Sequence, residues 1–182
     1  MAISWKFIDS EIGSLPVTNI DSGYTITDVS GSDTKYPSIE VGSIRKAIDT
    51  GSDGDGIAEF VYLKGVASTA AADWVSYDEV GQTTRLTNAS VGNVAVAMAA
   101  TVADKWGWYQ ISGNALALVE ATVSADVALF ASETAATAQD DASDGDVISG
   151  AISRSSNGGG GAGNIIVQLN RPYITQAAGA TS

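Results

Sequence analysis

Ile57-Ala58-Glu59-Phe60-Val61-Tyr62-Leu63-Lys64-Gly65-Val66 is the stretch on which the fold turns. Its β-branched and aromatic residues suit a pleated, half-buried strand, and turn formers bound it on both sides. Before it stands Asp49-Thr50-Gly51-Ser52-Asp53-Gly54-Asp55-Gly56, whose Gly residues supply positive φ; after it come turn residues from Ser68 to Asp73. Working outward, Val41, Ile44 and Ile48 suggest a preceding strand with a bulge or one short helical turn. Short strands then recur near 74–77, 83–87, 93–100, 106–112, 116–123, 127–131, 147–152 and 164–169. About ten short strands separated by tight turns predict an all-β, antiparallel β-sandwich or β-barrel of jelly-roll-like type.

The Ala-rich run 91–103 satisfies helix propensity, but Val94, Val96 and Met98 alternate with Ala95, Ala97 and Ala99. Period two makes it a strand, with one face of small residues that lets another sheet or subunit approach closely. From Met1 to Ile39 the apolar residues are thin and broken by Gly13, Pro16, Gly23, Gly31 and Pro37. This predicts an extended N-terminal arm, residues 1–39, ordered only by lying along a partner or along its own domain. The domain proper is 40–172 and a C-terminal tail is 173–182.

At 182 residues the chain is long enough for a real core, and with no Cys that core carries the stability unaided by disulfides. The start has no basic segment followed by an apolar one, and no window approaches a membrane span, so a soluble product without an export signal and without a membrane partner is expected. Twenty-one acidic residues against nine scattered basic ones give a net charge of −12, which repels phosphate backbones and argues against nucleic acid.

Several short patterns invite a chemical reading. Asp49-Thr50-Gly51-Ser52 matches the core of aspartic proteases, where paired Asp residues share a proton. Those enzymes continue into an apolar strand, whereas Asp53-Gly54-Asp55-Gly56 continues as a solvated turn. Asp53 and Asp55, and separately Asp140, Asp141, Asp144 and Asp146, offer oxygens for Ca²⁺, but neither segment has the loop spacing or the distal Glu, and hairpin turns use the same residues. Gly158 to Gly163 spells the dinucleotide fingerprint yet leads into a strand, Asn164 to Leu169, rather than a helix. With no His, a Ser nucleophile needs a Lys or carboxylate base, and nothing nominates one. The expectation is a protein that is not an enzyme, with no catalytic residue, no metal ligand and no cofactor.

Trp106-Gly107-Trp108-Tyr109-Gln110-Ile111-Ser112-Gly113 is the most distinctive run. Trp106, Trp108 and Gln110 share one strand face and Tyr109 and Ile111 the other. Two Trp on one face suit a sugar or peptide platform, but the enrichment of Trp at interfaces favours a core cap packed against a neighbouring subunit.

The order of the segments Gly42-Ser43-Ile44-Arg45-Lys46-Ala47, Ala58 to Val66, Trp74-Val75-Ser76-Tyr77-Asp78, Val94-Ala95-Val96-Ala97 and Trp106 to Gly113 resembles that of tailed-phage capsid decoration (cement, head-stabilising) proteins, over roughly Gly42 to Pro172. The resemblance implies a structural virion protein, made in the host cytoplasm and seated on the capsid exterior, that binds the major capsid protein lattice as a symmetric homo-oligomer, a trimer ahead of a dimer. Interaction candidates are Trp5, Phe7 and Ile8 on the arm and Trp106, Trp108 and Tyr109 on the strand. The alternatives are a carbohydrate- or receptor-binding virion module and, more remotely, an aspartic-protease-like enzyme.

Overall fold

A computed structural model describes residues 5–8, 16–50, 56–142 and 145–175. Among them there is no helix, and fourteen strands follow one another: β1 (Trp5–Phe7), β2 (Ile20–Asp21), β3 (Tyr24–Thr27), β4 (Asp33–Tyr36), β5 (Ile44–Asp49), β6 (Ile57–Lys64), β7 (Trp74–Tyr77), β8 (Thr83–Arg85), β9 (Gly92–Ala97), β10 (Trp106–Val119), β11 (Ala128–Ala131), β12 (Ala138–Gln139), β13 (Val147–Ser153) and β14 (Gly163–Ile174). The all-β, mostly antiparallel architecture expected from the strand spacing is present. No helix of the described residues is long and apolar enough to cross a membrane.

The 14-residue β10 organises the molecule. Its first half pairs with β6, Trp106 opposite Lys64 through Gln110 opposite Phe60, and its second half pairs with β14, Ser112 opposite Asn170 through Val119 opposite Gly163. The strand changes partner at a bulge between Gln110 and Ser112, next to Gly113. Gly113 has φ +84°, and a Cβ there would stand 2.9 Å from both the Ala58 Cβ and the Ile57 carbonyl oxygen, so only Gly fits the pivot. Sequence reading divides this stretch into two strands with a turn at Gly113 and extends the second to Val123; a positive-φ Gly makes a bulge as readily as a turn, and the structure keeps one strand, ending at Val119.

Beyond the pivot, β10, β12, β11, β13 and β14 form a closed circuit of paired strands, with β10 and β12 parallel. Its small interior is filled by Ala115, Ala117, Val119, Leu129, Ala131, Ala138, Ile148, Ala151, Ile165, Val167 and Leu169, continued by Trp74, Leu86, Val94 and Val96. Closure removes strand edges, and alternate Ala residues let the walls meet. On β9, Val94 and Val96 enter this core while Ala95 and Ala97 face a second cluster of Val61, Leu63, Val75, Tyr109 and Ile111. The small-residue face therefore meets a sheet of the same chain.

The sheet β1-β5-β6-β10 carries a third cluster, mostly aromatic, on its other face: Val17, Ala47, Ala58, Phe60, Tyr62, Trp106 and Trp108. Within the stretch read as an arm, β1 lies antiparallel along β5, β2 pairs with the start of β10, and β3 and β4 form a separate two-stranded hairpin that the sequence reading does not anticipate. At the other end β14 runs through Pro172 to Ile174; residues 176–182 lie outside the described residues.

Candidate interaction surface

The strand with two Trp residues is not a surface. Trp106, Trp108, Tyr109 and Gln110 are all buried, because β10 passes between the aromatic cluster on one face and the Val61–Tyr109 cluster on the other. Trp108 packs against the Tyr62 and Phe7 rings, each with centroids 5.1 Å away. Gln110 donates to the carbonyls of Ser112 and Asn114 at 3.0 and 2.9 Å, satisfying two acceptors at the bulge. Trp106, Trp108 and Tyr109 are thus withdrawn as contact residues of the folded chain, and no sugar platform forms there. Burial also pushes the Tyr109 hydroxyl up to about 12, far from any role in proton transfer near neutrality.

Of the arm candidates, Trp5 and Phe7 are half-buried against the aromatic cluster, Trp5 meeting Phe60 edge-on at 5.2 Å. The alternation along β1 turns Lys6 and Ile8 outward. They share that face with the outward residues of β5 and β6: Ile44, Lys46, Ile48, Ile57 and Glu59, with Lys6 opposite Ile48 and Ile48 opposite Ile57. Ile48 and Ile57 are 43 % and 58 % exposed, directly paired across the strands. Glu59 is bound by Arg171 at 2.9 Å and by Lys46 at 3.5 Å, so this apolar face carries a positive balance in a chain of net charge −12.

The hairpin β3–β4 is exposed along all eight strand residues. Register places Tyr24 opposite Tyr36 and Ile26 opposite Thr34 on one face, and Thr25, Lys35, Thr27 and Asp33 on the other. The Tyr24 and Tyr36 rings stack at 5.8 Å. The loop is tied by Asp28, whose Oδ1 accepts from the Ser30 and Ser32 amides at 2.8 and 2.9 Å and from the Ser30 hydroxyl at 2.6 Å; these bonds hold its carboxyl below the usual value and leave Val29 fully exposed at the tip.

Asp21 fixes this hairpin to the body. Its buried carboxylate accepts hydrogen bonds from the Gly23 amide at 2.7 Å, just before β3, and from the Ser38 amide at 2.7 Å and hydroxyl at 3.0 Å, just after β4. It also accepts from the Tyr62 hydroxyl on β6. Burial raises the Asp21 carboxyl, but the four hydrogen bonds together outweigh it and hold the group below its ordinary value; burial and the same bond push Tyr62 well above the ordinary phenol value. Gly23, with φ +66°, packs where a Cβ would meet the Tyr36 carbonyl oxygen and lie 2.7 Å from the Trp106 ring. Lys105 donates to the Ser22 hydroxyl at 3.0 Å beside this clamp. Nothing in the sequence marks Asp21, because its partner Tyr62 is 41 residues away.

The chemical candidates disperse. Asp49 is a buried residue at the end of β5, opposite Trp5. Gly51, Ser52, Asp53 and Asp55 lie outside the described residues, as does Asp144. Asp140 accepts from the Ser124 amide at 2.8 Å. Among the described residues no three acidic, His or Cys side chains gather as metal ligands. In the Gly158–Gly163 loop, Asn157 donates to the Glu120 and Gly161 carbonyls at 2.8 and 3.0 Å, tying the loop down between β13 and β14. Buried Asp73 is held by the Ala70 amide at 2.9 Å and Arg85 at 3.5 Å; burial pushes its carboxyl up, and those partners oppose the rise. Both buried carboxylates with displaced titrations, Asp21 and Asp73, thus serve local structure.

No protein-family model matches the chain, nor does any curated protein or solved structure.

Proposed function

We propose that the protein is a structural virion component that binds the outer surface of a phage capsid and stabilises the major capsid protein lattice. The observation that carries this reading is apolar surface left uncovered around a well-filled interior. Sixteen large apolar side chains among the described residues are at least 38 % exposed, and several gather on the β3–β4 hairpin and on the β1-β5-β6 face. Contiguous exposed apolar patches of this kind mark protein interfaces. A clip that binds only the assembled lattice stabilises it by mass action and needs no reaction, which agrees with the structural employment of Asp21 and Asp73. Co-sedimentation of the purified chain with mature capsids and with immature shells tests the reading. Binding to the lattice, with slower heat release of DNA, is expected; failure to bind either particle overturns it.

The exposed, mutually stacked Tyr24 and Tyr36 favour a second reading, a carbohydrate- or receptor-binding virion module, since Tyr faces stack on sugar rings. Glycan-array binding without capsids, abolished by Tyr24→Ala, supports that alternative.

A further inference from the structure

The two exposed apolar patches are complementary and too far apart to meet within one chain. The hairpin base sits beside Trp106, which pairs with Lys64 at the end of β6, whereas the Ile48–Ile57 pair lies at the start of β6. Seven residue steps of strand separate them, about 23 Å at the usual rise. The hairpin's four-residue strands reach only about 14 Å, and the Asp21 clamp holds their base at the Trp106 end.

Both patches are apolar, Tyr24, Ile26, Val29 and Tyr36 on one and Ile8, Ile48 and Ile57 on the other. Their charges oppose. The hairpin and its loop carry Asp28 and Asp33 against Lys35, a net negative charge, while on the receiving face Lys6, Lys46 and Arg171 outnumber Glu59, which Lys46 and Arg171 both bind. An isolated two-stranded hairpin is marginal in water, so an exposed one gains most from being covered. From this complementarity we infer that the β3–β4 hairpin of one copy docks on the outer β1-β5-β6 face of a second copy. Each chain then offers a hairpin and a receiving face, a head-to-tail contact that closes into a ring or runs on as a chain. The inference goes beyond the capsid reading and is independent of it: a monomer that co-sediments with capsids removes this contact and leaves that function standing.

Sedimentation velocity of the full chain over a range of concentrations tests the contact, with Ile26→Glu disabling the hairpin and Ile48→Glu disabling the face. Both side chains are exposed, so unchanged circular dichroism and melting temperature certify the fold; Ile26→Thr and Ile48→Thr serve if either charged variant misfolds. The wild type should associate, less so in high salt, and each variant alone should weaken association at least tenfold. An equimolar mixture of the two variants should recover a complex of two chains that grows no further, because one intact hairpin and one intact face remain. A wild type that stays monomeric, a loss in only one variant, or a mixture that stays monomeric overturns the inference.

Discussion

Replacing Asp21 by Ala separates what the clamp does for the whole domain from what it does for the hairpin. Hydrogen bonds to a charged group contribute about 1.5–3 kcal/mol each, so a naive sum over the four bonds to Asp21 approaches ~10 kcal/mol. That sum overshoots. Three of the donors, the Gly23 amide and both Ser38 groups, flank a hairpin with no buried strand residue, and they reach water once the hairpin base opens. The Tyr62 hydroxyl belongs to a fully buried residue of β6 and stays without its acceptor, at about 1–3 kcal/mol. Asp21→Ala should therefore lower the global unfolding free energy by about 2–3 kcal/mol in urea, while amides 24–36 lose hydrogen-exchange protection by a much larger factor. Removing both partners is less costly than removing one, so Asp21→Ala with Tyr62→Phe should regain about 1–2 kcal/mol over Asp21→Ala alone. The pH dependence follows from the lowered carboxyl. The contribution is fully present above the unfolded value near ~3.9 and is lost as pH falls through the lower folded value, so wild type and Asp21→Asn should converge in strong acid. A loss below ~0.5 kcal/mol with unchanged exchange at 24–36, or no rescue by Tyr62→Phe, would refute the clamp.

Two further perturbations probe the frame. Gly113→Ala forces a Cβ to 2.9 Å from the Ala58 Cβ at a positive φ and should cost about 2–3 kcal/mol, whereas Gly158→Ala, with open space around it, should stay within ~0.5 kcal/mol; equal urea midpoints would contradict the pivot. Arg85→Met removes the cation 3.5 Å from Asp73 and its bond to the Ala135 carbonyl at 3.1 Å. Asp73 already titrates above its ordinary value through burial, so the variant raises it further: the loss, about 1–2 kcal/mol at pH 7, should shrink as pH falls and Asp73 protonates, leaving the pH-independent cost of the Ala135 bond. A loss constant from pH 7 to pH 4 would show that Arg85 acts only through that bond.

How much of this was legible before the fold depends on the range of the interaction that decides each element. Strands β6, β7, β9, β13 and β14 announce themselves, because alternation and turn residues are local signals; on β9 the Val and Ala positions even specify which core each face enters. The hairpin carried the same signal in compressed form. Tyr24 and Ile26 alternate with Thr25 and Thr27, a loop of Asp28, Ser30, Gly31 and Ser32 follows, and Asp33 to Tyr36 answer it. Four-residue strands give too few repeats to stand out beside the surrounding Gly and Pro. The aromatic run at Trp106 misled for a different reason: alternation shows which residues share a face, but whether that face meets water depends on what packs against it. Here β6 and β9 border the strand and the clusters of Phe60, Tyr62 and Val17 on one side and Leu63, Val75 and Ala95 on the other leave it no solvent. The same reasoning applies to the face proposed for docking, of which sequence patterning singled out only Ile8. Ile44 and Ile48 have a period-two partner in Lys46, which marks a face half apolar and half basic, and only the register, with Lys6 opposite Ile48 and Ile48 opposite Ile57, shows that the two exposed Ile side chains sit side by side across β5 and β6 with a Lys beside them.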